Sequence, residues 1–308
     1  MPNKPTSREQ PATASAARWT GRSRGGYYGN LFFIHMLRMF GLRAAFLPLP
    51  LVCAYYLLAY PAARRASTGY LTRLLGPLPA WRRARLVHRH FVSMGRMLIE
   101  RMAMIADPSS FLCAFEGVEH LRNALGRGRG LVLVSAHVGN WEAAGHLLGG
   151  LGAPVNVVGV NREVESIRNL FDRQMSNKAF RFLPVEGSPL DTIALLAALR
   201  RNEIVAVHGD RATGDDTLER PFLGRPARFP TGAYRLAAAA GAPVVQGFSV
   251  RERLRCYRFM AYPAMNPPPD PAERDAFIGG CIGSYVERLE ALVRRYPFQW
   301  YNFYPFWG

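Results

Sequence analysis

A histidine and a glutamate stand five residues apart where the chain changes from strand to helix. His137 follows the apolar run 131–136, and Glu142 comes after Gly139 and Asn140. Side chains five apart on one helix do not face each other, so the two meet only if His137 precedes the helix and Gly139–Asn140 form a turn. An imidazole paired in this way acts as a general base, and the carboxylate fixes its tautomer. The alternative is a core histidine beside an unrelated first-turn glutamate.

The elements around this pair alternate between strand and helix. Continuous apolar runs predict buried strands over 130–136, 153–160, 181–185, 203–209, 242–250 and 253–262. Helical patterns follow over 141–148, 163–179, 190–201, 231–240 and 272–296. This alternation predicts an α/β fold with a mixed, largely parallel sheet flanked by helices. We expect strand 153–160 to lie beside the strand that leads into His137, so that both end at the edge where sites collect.

Composition narrows the class of protein. The chain has 308 residues, and 49% of them are hydrophobic, which excludes a disordered protein. Lys and Arg number 39 against 22 Asp and Glu, a formal net charge of +17. That surplus favours a partner with negative charge: an anionic lipid, an acidic carrier protein, a phosphorylated substrate or nucleic acid. The four cysteines form no CxxC pair, which excludes a zinc knuckle and a dense disulfide framework and favours a reducing compartment.

The N-terminal third of the sequence contains a basic tail and an apolar run. Residues 1–26 are rich in Pro, Ser, Thr, Ala and Arg and predict a disordered basic tail. Within 27–110, the uncharged run 44–63 is long enough to cross a bilayer, and Pro48 and Pro50 are expected to kink it. It either spans the membrane, dips into it from one side, or forms a buried core hairpin.

Arginines dominate the stretch that follows this apolar run. Residues 64–101 contain nine arginines and one acidic residue, Glu100. Apolar residues at helical spacing predict two amphipathic helices broken near 76–79. The basic face either contacts lipid headgroups, which the neighbouring apolar run favours, or is simply solvated.

Several common sites are excluded by their motifs. The sequence contains no GxGxxG, GxxxxGK[ST], HExxH or GxSxG pattern. No nucleic-acid-binding module is recognised, and the apolar run 44–63 argues against that class. We therefore expect neither a metal nor a bound cofactor, and no nucleic-acid partner.

Five blocks in order carry a resemblance to a known family. They are the His-x4-Glu block with Gly-Asn-Trp at 135–142, Val-Asn-Arg-Glu at 160–163, Val-His-Gly-Asp-Arg at 207–211, the series of Phe-Leu-Gly, Pro-Thr-Gly and Gly-Ala-Pro-Val within 221–245, and the aromatic ending 297–307. Together they resemble the lysophospholipid acyltransferase superfamily, and within it the lipid A biosynthesis branch with its glycolipid and aryl polyene relatives. The expected fold is therefore glycerol-3-phosphate acyltransferase-like, with the enzyme domain over 111–308.

The resemblance implies an acyltransferase on the cytoplasmic face of the bacterial inner membrane. It would move an acyl group from acyl carrier protein or coenzyme A to a hydroxyl or amine of a lipid or glycolipid, with His137 as base and Glu142 as its orienting partner. Backbone N–H groups after Gly139 would stabilise the oxyanion. The other site residues expected from these blocks are Asn140, Arg162, Asp210 and Arg211.

Two departures and three alternatives accompany this interpretation. The block 208–211 reads His-Gly-Asp-Arg where lipid A enzymes usually have Asp-Gln-Asp/His, and the aromatic ending is closer to the aryl polyene and glycolipid relatives. Both favour an acceptor other than lipid A. The alternatives are a glycerophospholipid acyltransferase and a non-catalytic basic protein that binds membranes; for Asp210 with Arg211, the alternative to a site pair is an ordinary salt bridge. We expect structural roles for the remaining histidines considered, His120, His146 and His208, and core packing for the terminal aromatics.

Overall fold

The structure is a computed structural model that describes residues 26–140, 148–159, 180–185, 188–212 and 214–307. Glu142, His146 and Arg162 lie outside these ranges, as do the predicted helix 163–179, nearly all of the helix predicted at 141–148, and all but the last residue of the predicted tail.

Four helices form the N-terminal part: α1 (Gly26–Ala45), α2 (Leu49–Ala59), α3 (Pro61–Leu75) and α4 (Ala80–Ala106). Prolines stand at the starts of α2 and α3, where the missing N–H costs no helical hydrogen bond. Gly76 ends α3 with a φ of 80°, so the break predicted near 76–79 is confirmed.

The apolar run does not form one straight helix. No single helix in the described ranges is long and apolar enough to cross a membrane. Two consecutive helical segments, 28–45 and 49–59, are together long and apolar enough to cross a membrane. The chain bends by 97° at the break between them. Part of this region is core, because Leu42, Ala45, Leu49 and Cys53 pack with residues of α4.

A seven-stranded sheet follows, in the order β1-β9-β8-β2-β5-β3-β4. Its strands are β1 (Leu112–Glu116), β2 (Leu131–Ser135), β3 (Val155–Gly159), β4 (Arg181–Pro184), β5 (Ile204–His208), β8 (Val244–Arg253) and β9 (Cys256–Ala261). All pairings are parallel except that of β8 with β9. The predicted mixed, largely parallel α/β sheet is therefore confirmed.

One predicted neighbour is wrong. Strand β3 does not lie beside β2, because β5 lies between them. Val134 of β2 pairs with Val207 of β5 on one side and with Gln246 of β8 on the other, so β2 has no edge left for β3. Apolar periodicity shows which runs are buried strands, but it carries no information about which strands are neighbours.

Three strands, and the helix Val118–Leu125, have no counterpart among the elements predicted from the sequence. Strand β1 lies in a short apolar run, 111–115, that was not interpreted as a strand, and most of its residues are exposed at the sheet edge. Strands β6 (Thr217–Phe222) and β7 (Arg225–Pro230) form a separate hairpin rich in Arg and Pro, joined by Leu223 and Gly224 with φ of 50° and 74°. Two central residues with positive φ are typical of the tight hairpin turn.

Helices α5 (Val118–Leu125), α6 (Pro189–Arg200), α7 (Gly232–Ala240) and α8 (Arg274–Arg295) complete the described domain. The C-terminal aromatics pack as predicted: Trp300 is fully buried, and its ring meets those of Phe222, Phe306 and Trp307. All four cysteines are free thiols.

Candidate active site

The site lies at the carboxyl edge of two neighbouring parallel strands. Ser135, the last residue of β2, pairs in register with His208, the last residue of β5. His137 and Asp210 each follow two residues later, so both reach the same edge although they are 73 residues apart in sequence. The carboxyl edge of a parallel sheet is where α/β proteins place their sites.

His137 and Asp210 are joined by two hydrogen bonds. His137 Nδ1 lies 2.8 Å from Asp210 Oδ1, and the backbone N–H of His137 donates to Oδ2 at 3.0 Å. Trp300 Nε1 donates to the same Oδ2 at 2.9 Å. All three contacts hold the Asp210 carboxylate, whose side chain is only 2% exposed. Its position is therefore fixed before any substrate arrives.

These contacts determine the protonation states of Asp210 and His137. Burial by itself would raise the pKa of Asp210, but the charge and hydrogen bond of His137, with Arg211 and His208 nearby, hold that pKa well below its usual range. Burial lowers the pKa of His137, although Asp210 opposes this shift. An ionised Asp210 accepts a hydrogen bond from the Nδ1–H of a neutral imidazole, which leaves the lone pair on Nε2. His137 keeps 23% of its side chain exposed, so it has the state and the access that a general base needs.

The orienting partner is the point at which sequence and structure differ. The sequence predicted Glu142 in that role, whereas the Nδ1 partner in the structure is Asp210. Glu142 lies outside the described residues, so its role stays a prediction. Asp210 was also predicted to pair with Arg211. Its carboxylate accepts hydrogen bonds from His137 and Trp300, and the nearby charge of Arg211 helps to lower its pKa, so the pair with Arg211 stays a prediction.

His208 is closer to the site than the sequence indicated. Its ring centroid lies 4.1 Å from that of His137. Burial and the neighbouring His137 lower the pKa of His208 well below its usual value, so it stays neutral beside the base. His120 lies elsewhere, with Nε2 3.9 Å from Glu119, as expected of a residue outside the site. Because His208 ends β5, its position at a strand end was the available signal.

The C-terminal segment 299–304 supports the site from the side. The Gly139 N–H donates to the Gln299 carbonyl at 2.9 Å, and the Tyr301 N–H donates to the His137 carbonyl at 2.8 Å. The Tyr304 hydroxyl donates to the Asp210 carbonyl at 3.2 Å. The sequence predicted only core packing for these aromatics. Buried Trp and Tyr usually find a hydrogen-bond partner, and this was the signal for a second role.

Gly139 is required by the path of this loop. It has a φ of 58°, and a Cβ there would stand 2.1 Å from the carbonyl oxygen of Ser249. The chain therefore passes directly over β8, where only glycine fits. Asn140 is buried and borders the part of the chain that is not described, so its binding role and the predicted oxyanion site after Gly139 stay predictions.

Arg211 has described contacts within the protein. Its Nη2 donates to the Tyr301 carbonyl at 3.1 Å, and its guanidinium lies 5.5 Å from the centre of the Tyr304 ring. These contacts tie the loop after β5 to the segment 299–304. A substrate role for Arg211 stays a prediction, as does that of Arg162, which lies outside the described residues.

The described residues contain no group of three or more His, Cys, Asp or Glu side chains placed to hold a metal ion. The hydrogen-bonded pair of His137 and Asp210, called the dyad below, has donors and acceptors that suit proton transfer.

This chain is similar to several known acyltransferases. Residues 32–307 match the family described as bacterial lipid A biosynthesis acyltransferase. A phosphatidylinositol mannoside acyltransferase of Mycobacterium tuberculosis is 28% identical over 192 residues, which are 62% of this chain and 58% of that protein. The corresponding protein of Mycolicibacterium smegmatis is 26% identical over 191 residues, 62% of this chain and 60% of its own length.

A solved structure also aligns with this chain. The 1-acyl-sn-glycerophosphate acyltransferase PlsC of Thermotoga maritima has 14% identity and a TM-score of 0.37, with 81% of this chain and 98% of that chain covered. The family match spans nearly the whole described chain and includes both members of the dyad. This chain belongs to the bacterial lipid A biosynthesis acyltransferase family.

Proposed function

We propose that this protein transfers an acyl group from a thioester donor to a hydroxyl or amine of a lipid or glycolipid acceptor. The observation that carries the proposal is the His137–Asp210 dyad, with Nδ1 held at 2.8 Å by a buried carboxylate and the imidazole partly exposed. Family membership supports the reaction class.

The proposed step uses the neutral imidazole as base. Nε2 of His137 takes the proton of the acceptor hydroxyl as its oxygen attacks the thioester carbonyl. Asp210 stabilises the imidazolium that forms. The carbon–sulfur bond then breaks, and the imidazolium returns the proton to the departing thiolate. The ester product and the free thiol account for every atom of the two substrates.

The donor and acceptor are proposed by class. The donor is acyl carrier protein or coenzyme A, both of which bring negative charge to a chain of net charge +17. The relatives named as phosphatidylinositol mannoside acyltransferases favour a glycolipid acceptor. The co-substrate thioester supplies the acyl group, so the proposed step calls for no further cofactor.

We further propose that the N-terminal helices contact an anionic membrane, on the cytoplasmic face of the bacterial inner membrane. Large apolar side chains are exposed along α1, α2 and the turn between them: Phe32, Met39, Phe40, Leu47, Leu51, Tyr55 and Leu58. An exposed apolar patch next to a basic helix is typical of proteins that bind a lipid surface.

Acyl transfer by the purified protein tests the reaction. Acyl-coenzyme A or acyl carrier protein would be offered with a mannosylated phosphatidylinositol or with lysophosphatidate, and products followed by lipid mass spectrometry. We expect acylation of the glycolipid, and His137→Ala should lower the rate by roughly 10²–10⁴-fold. His120→Ala, a histidine outside the site, should keep full activity. Full activity of His137→Ala would refute the base assignment, and acylation of lysophosphatidate alone would favour the glycerophospholipid alternative.

Membrane contact is tested by vesicle sedimentation. The paired change Leu47→Asp with Leu51→Asp should reduce binding to anionic vesicles, because it places charge in the exposed apolar patch. Leu190→Asp with Ile193→Asp makes the same change on the exposed face of α6 and serves as the control. Equal binding by the two paired variants would show that α1 and α2 do not contact lipid.

A further inference from the structure

A cavity of about 480 Å³ lies behind the turn between α1 and α2. Its walls come from α4, from the β8–β9 hairpin and from the start of the C-terminal segment. Three arginines line it, Arg96, Arg251 and Arg253, together with the side chain of Gln299. No residue of the dyad lines this cavity, so it is a separate place in the fold.

Two of the three arginines have no carboxylate partner in the described part of the chain. Arg251 lies 3.6 Å from the buried carboxylate of Glu100 and is therefore paired. For Arg96 and Arg253, no Asp or Glu oxygen lies within 4.0 Å anywhere in the described ranges of the chain. Two exposed guanidinium groups beside one cavity attract an anion.

The acidic residue in the cavity wall does not cancel these charges. Glu252 Oε1 accepts from Arg258 Nε at 2.8 Å and from the Tyr296 hydroxyl at 2.8 Å. These partners also hold the pKa of Glu252 below its usual value, with the Tyr296 hydrogen bond the largest contribution. The Glu252 carboxylate is thus already paired with Arg258, and the cavity keeps an excess of positive charge.

The remaining wall of the cavity is apolar and leads to the exposed patch on α1 and α2. Phe46 and Leu254 line the cavity, and the Arg96 guanidinium lies 5.7 Å from the centre of the Phe46 ring. Leu47, the next residue, is 77% exposed. A ligand with an anionic end and an apolar end therefore fits this surface. Its anionic end would lie at the arginines of the cavity, and its apolar end on the exposed patch of α1 and α2.

We propose that this cavity binds a phosphate group, with the phosphate of an anionic membrane lipid as its source. Arg96 and Arg253 would contact the phosphate oxygens, since the guanidinium fork matches that geometry. The lipid chains would lie along the exposed apolar patch beginning at Leu47. The inference rests on the proposed membrane association, and it adds a specific headgroup site to a general basic surface.

The side chain of Gln299 links this cavity to the loop that carries His137. Gln299 Oε1 accepts from the Arg251 N–H at 2.7 Å, and its Nε2 donates to the Arg251 carbonyl at 2.7 Å. The Gln299 carbonyl accepts from Gly139, two residues after His137. A bound lipid would thus contact the strand that fixes the position of the loop carrying the base.

The test compares two pairs of arginines in the full chain. Arg96→Gln with Arg253→Gln removes the charges at the cavity, and Arg82→Gln with Arg85→Gln removes two exposed charges from the first turns of the same basic helix. Sedimentation would measure binding to phosphatidylcholine vesicles with and without phosphatidylglycerol. We expect the cavity pair to weaken binding to the anionic vesicles about tenfold more than the control pair does. Both pairs carry exposed side chains, so circular dichroism should show an unchanged fold.

A second measurement separates the two sources of phosphate. Isothermal titration of inorganic phosphate should show only weak binding through Arg96 and Arg253 if the ligand is a lipid headgroup, because free phosphate lacks the apolar chains. Phosphate binding lost in the cavity pair, without a difference on vesicles, would assign the site to a soluble phosphate instead. Equal losses by both pairs in both measurements would overturn the proposal. An absence of acyl transfer would refute the proposed reaction alone, because neither measurement depends on catalysis.

Discussion

The substitution Asp210→Asn tests the dyad with the smallest possible change of shape. Asp210 Oδ2 accepts from the His137 N–H at 3.0 Å and from Trp300 Nε1 at 2.9 Å. The single oxygen of an asparagine would keep both of these contacts. Its NH₂ group would then face His137 Nδ1, where a carboxylate oxygen now stands at 2.8 Å. Because an NH₂ group only donates, Nδ1 must accept, and the imidazole proton moves to Nε2.

The expected loss follows from that tautomer. With its proton on Nε2, His137 has no lone pair for the acceptor hydroxyl and could not act as the proposed base. Loss of the orienting carboxylate in a comparable triad costs about 10⁴-fold in kcat. Asp210 also raises the pKa of His137, so removing its charge should lower that pKa. The active form is neutral, and the acid limb of any residual activity should therefore move to lower pH.

The assay is the pH dependence of kcat and kcat/KM for thiol release from the acyl donor. Asp216→Asn is the matched control: this carboxylate is 57% exposed and pairs with Arg235 at 3.0 Å on the surface. It should leave both constants unchanged. If Asp210→Asn keeps activity within about tenfold of the parent chain, the tautomer argument is wrong. Loss of activity together with loss of the folded state would call for the comparison at lower temperature, where retained activity would refute the argument in the same way.

Three other outcomes are expected. Trp300→Phe removes the 2.9 Å hydrogen bond to Asp210, and it should lower kcat with KM unchanged in steady-state kinetics; a change in KM alone would contradict this role. Gly139→Ala should destabilise the fold by about 1–3 kcal/mol in urea unfolding, because of its positive φ and the Ser249 carbonyl 2.1 Å from the added Cβ; an unchanged midpoint would count against it. Burial lowers the pKa of His90 to about 4, below the unfolded value near 6.5, so protonation favours unfolding. About 3 kcal/mol of unfolding free energy should be lost as the pH falls from 6.5 to 4, and a slope unchanged in His90→Gln would disprove the assignment.

Local sequence features predicted much of this protein. The apolar run 131–136 identified a buried strand, and its end placed His137 where catalytic side chains collect. The break at Gly76, the α/β alternation and the family blocks were readable in the same way, since each depends on neighbouring residues. Strand β1 was missed because an apolar run as short as 111–115 does not by itself distinguish a strand from a helix. The hairpin β6–β7 was missed because its residues, rich in Arg and Pro, carry no apolar periodicity.

Only the tertiary structure decided what completes the site. Residues 137 and 210 meet because β5 rather than β3 lies beside β2, and no local pattern encodes that order. Trp300 reaches Asp210 from 90 residues away because the C-terminal segment packs across the strand ends. The sequence by itself determined which residue could act as the base and on what kind of fold. The partner of that base depends on the strand order of the sheet, and this order is determined by hydrogen bonding and burial across the whole chain.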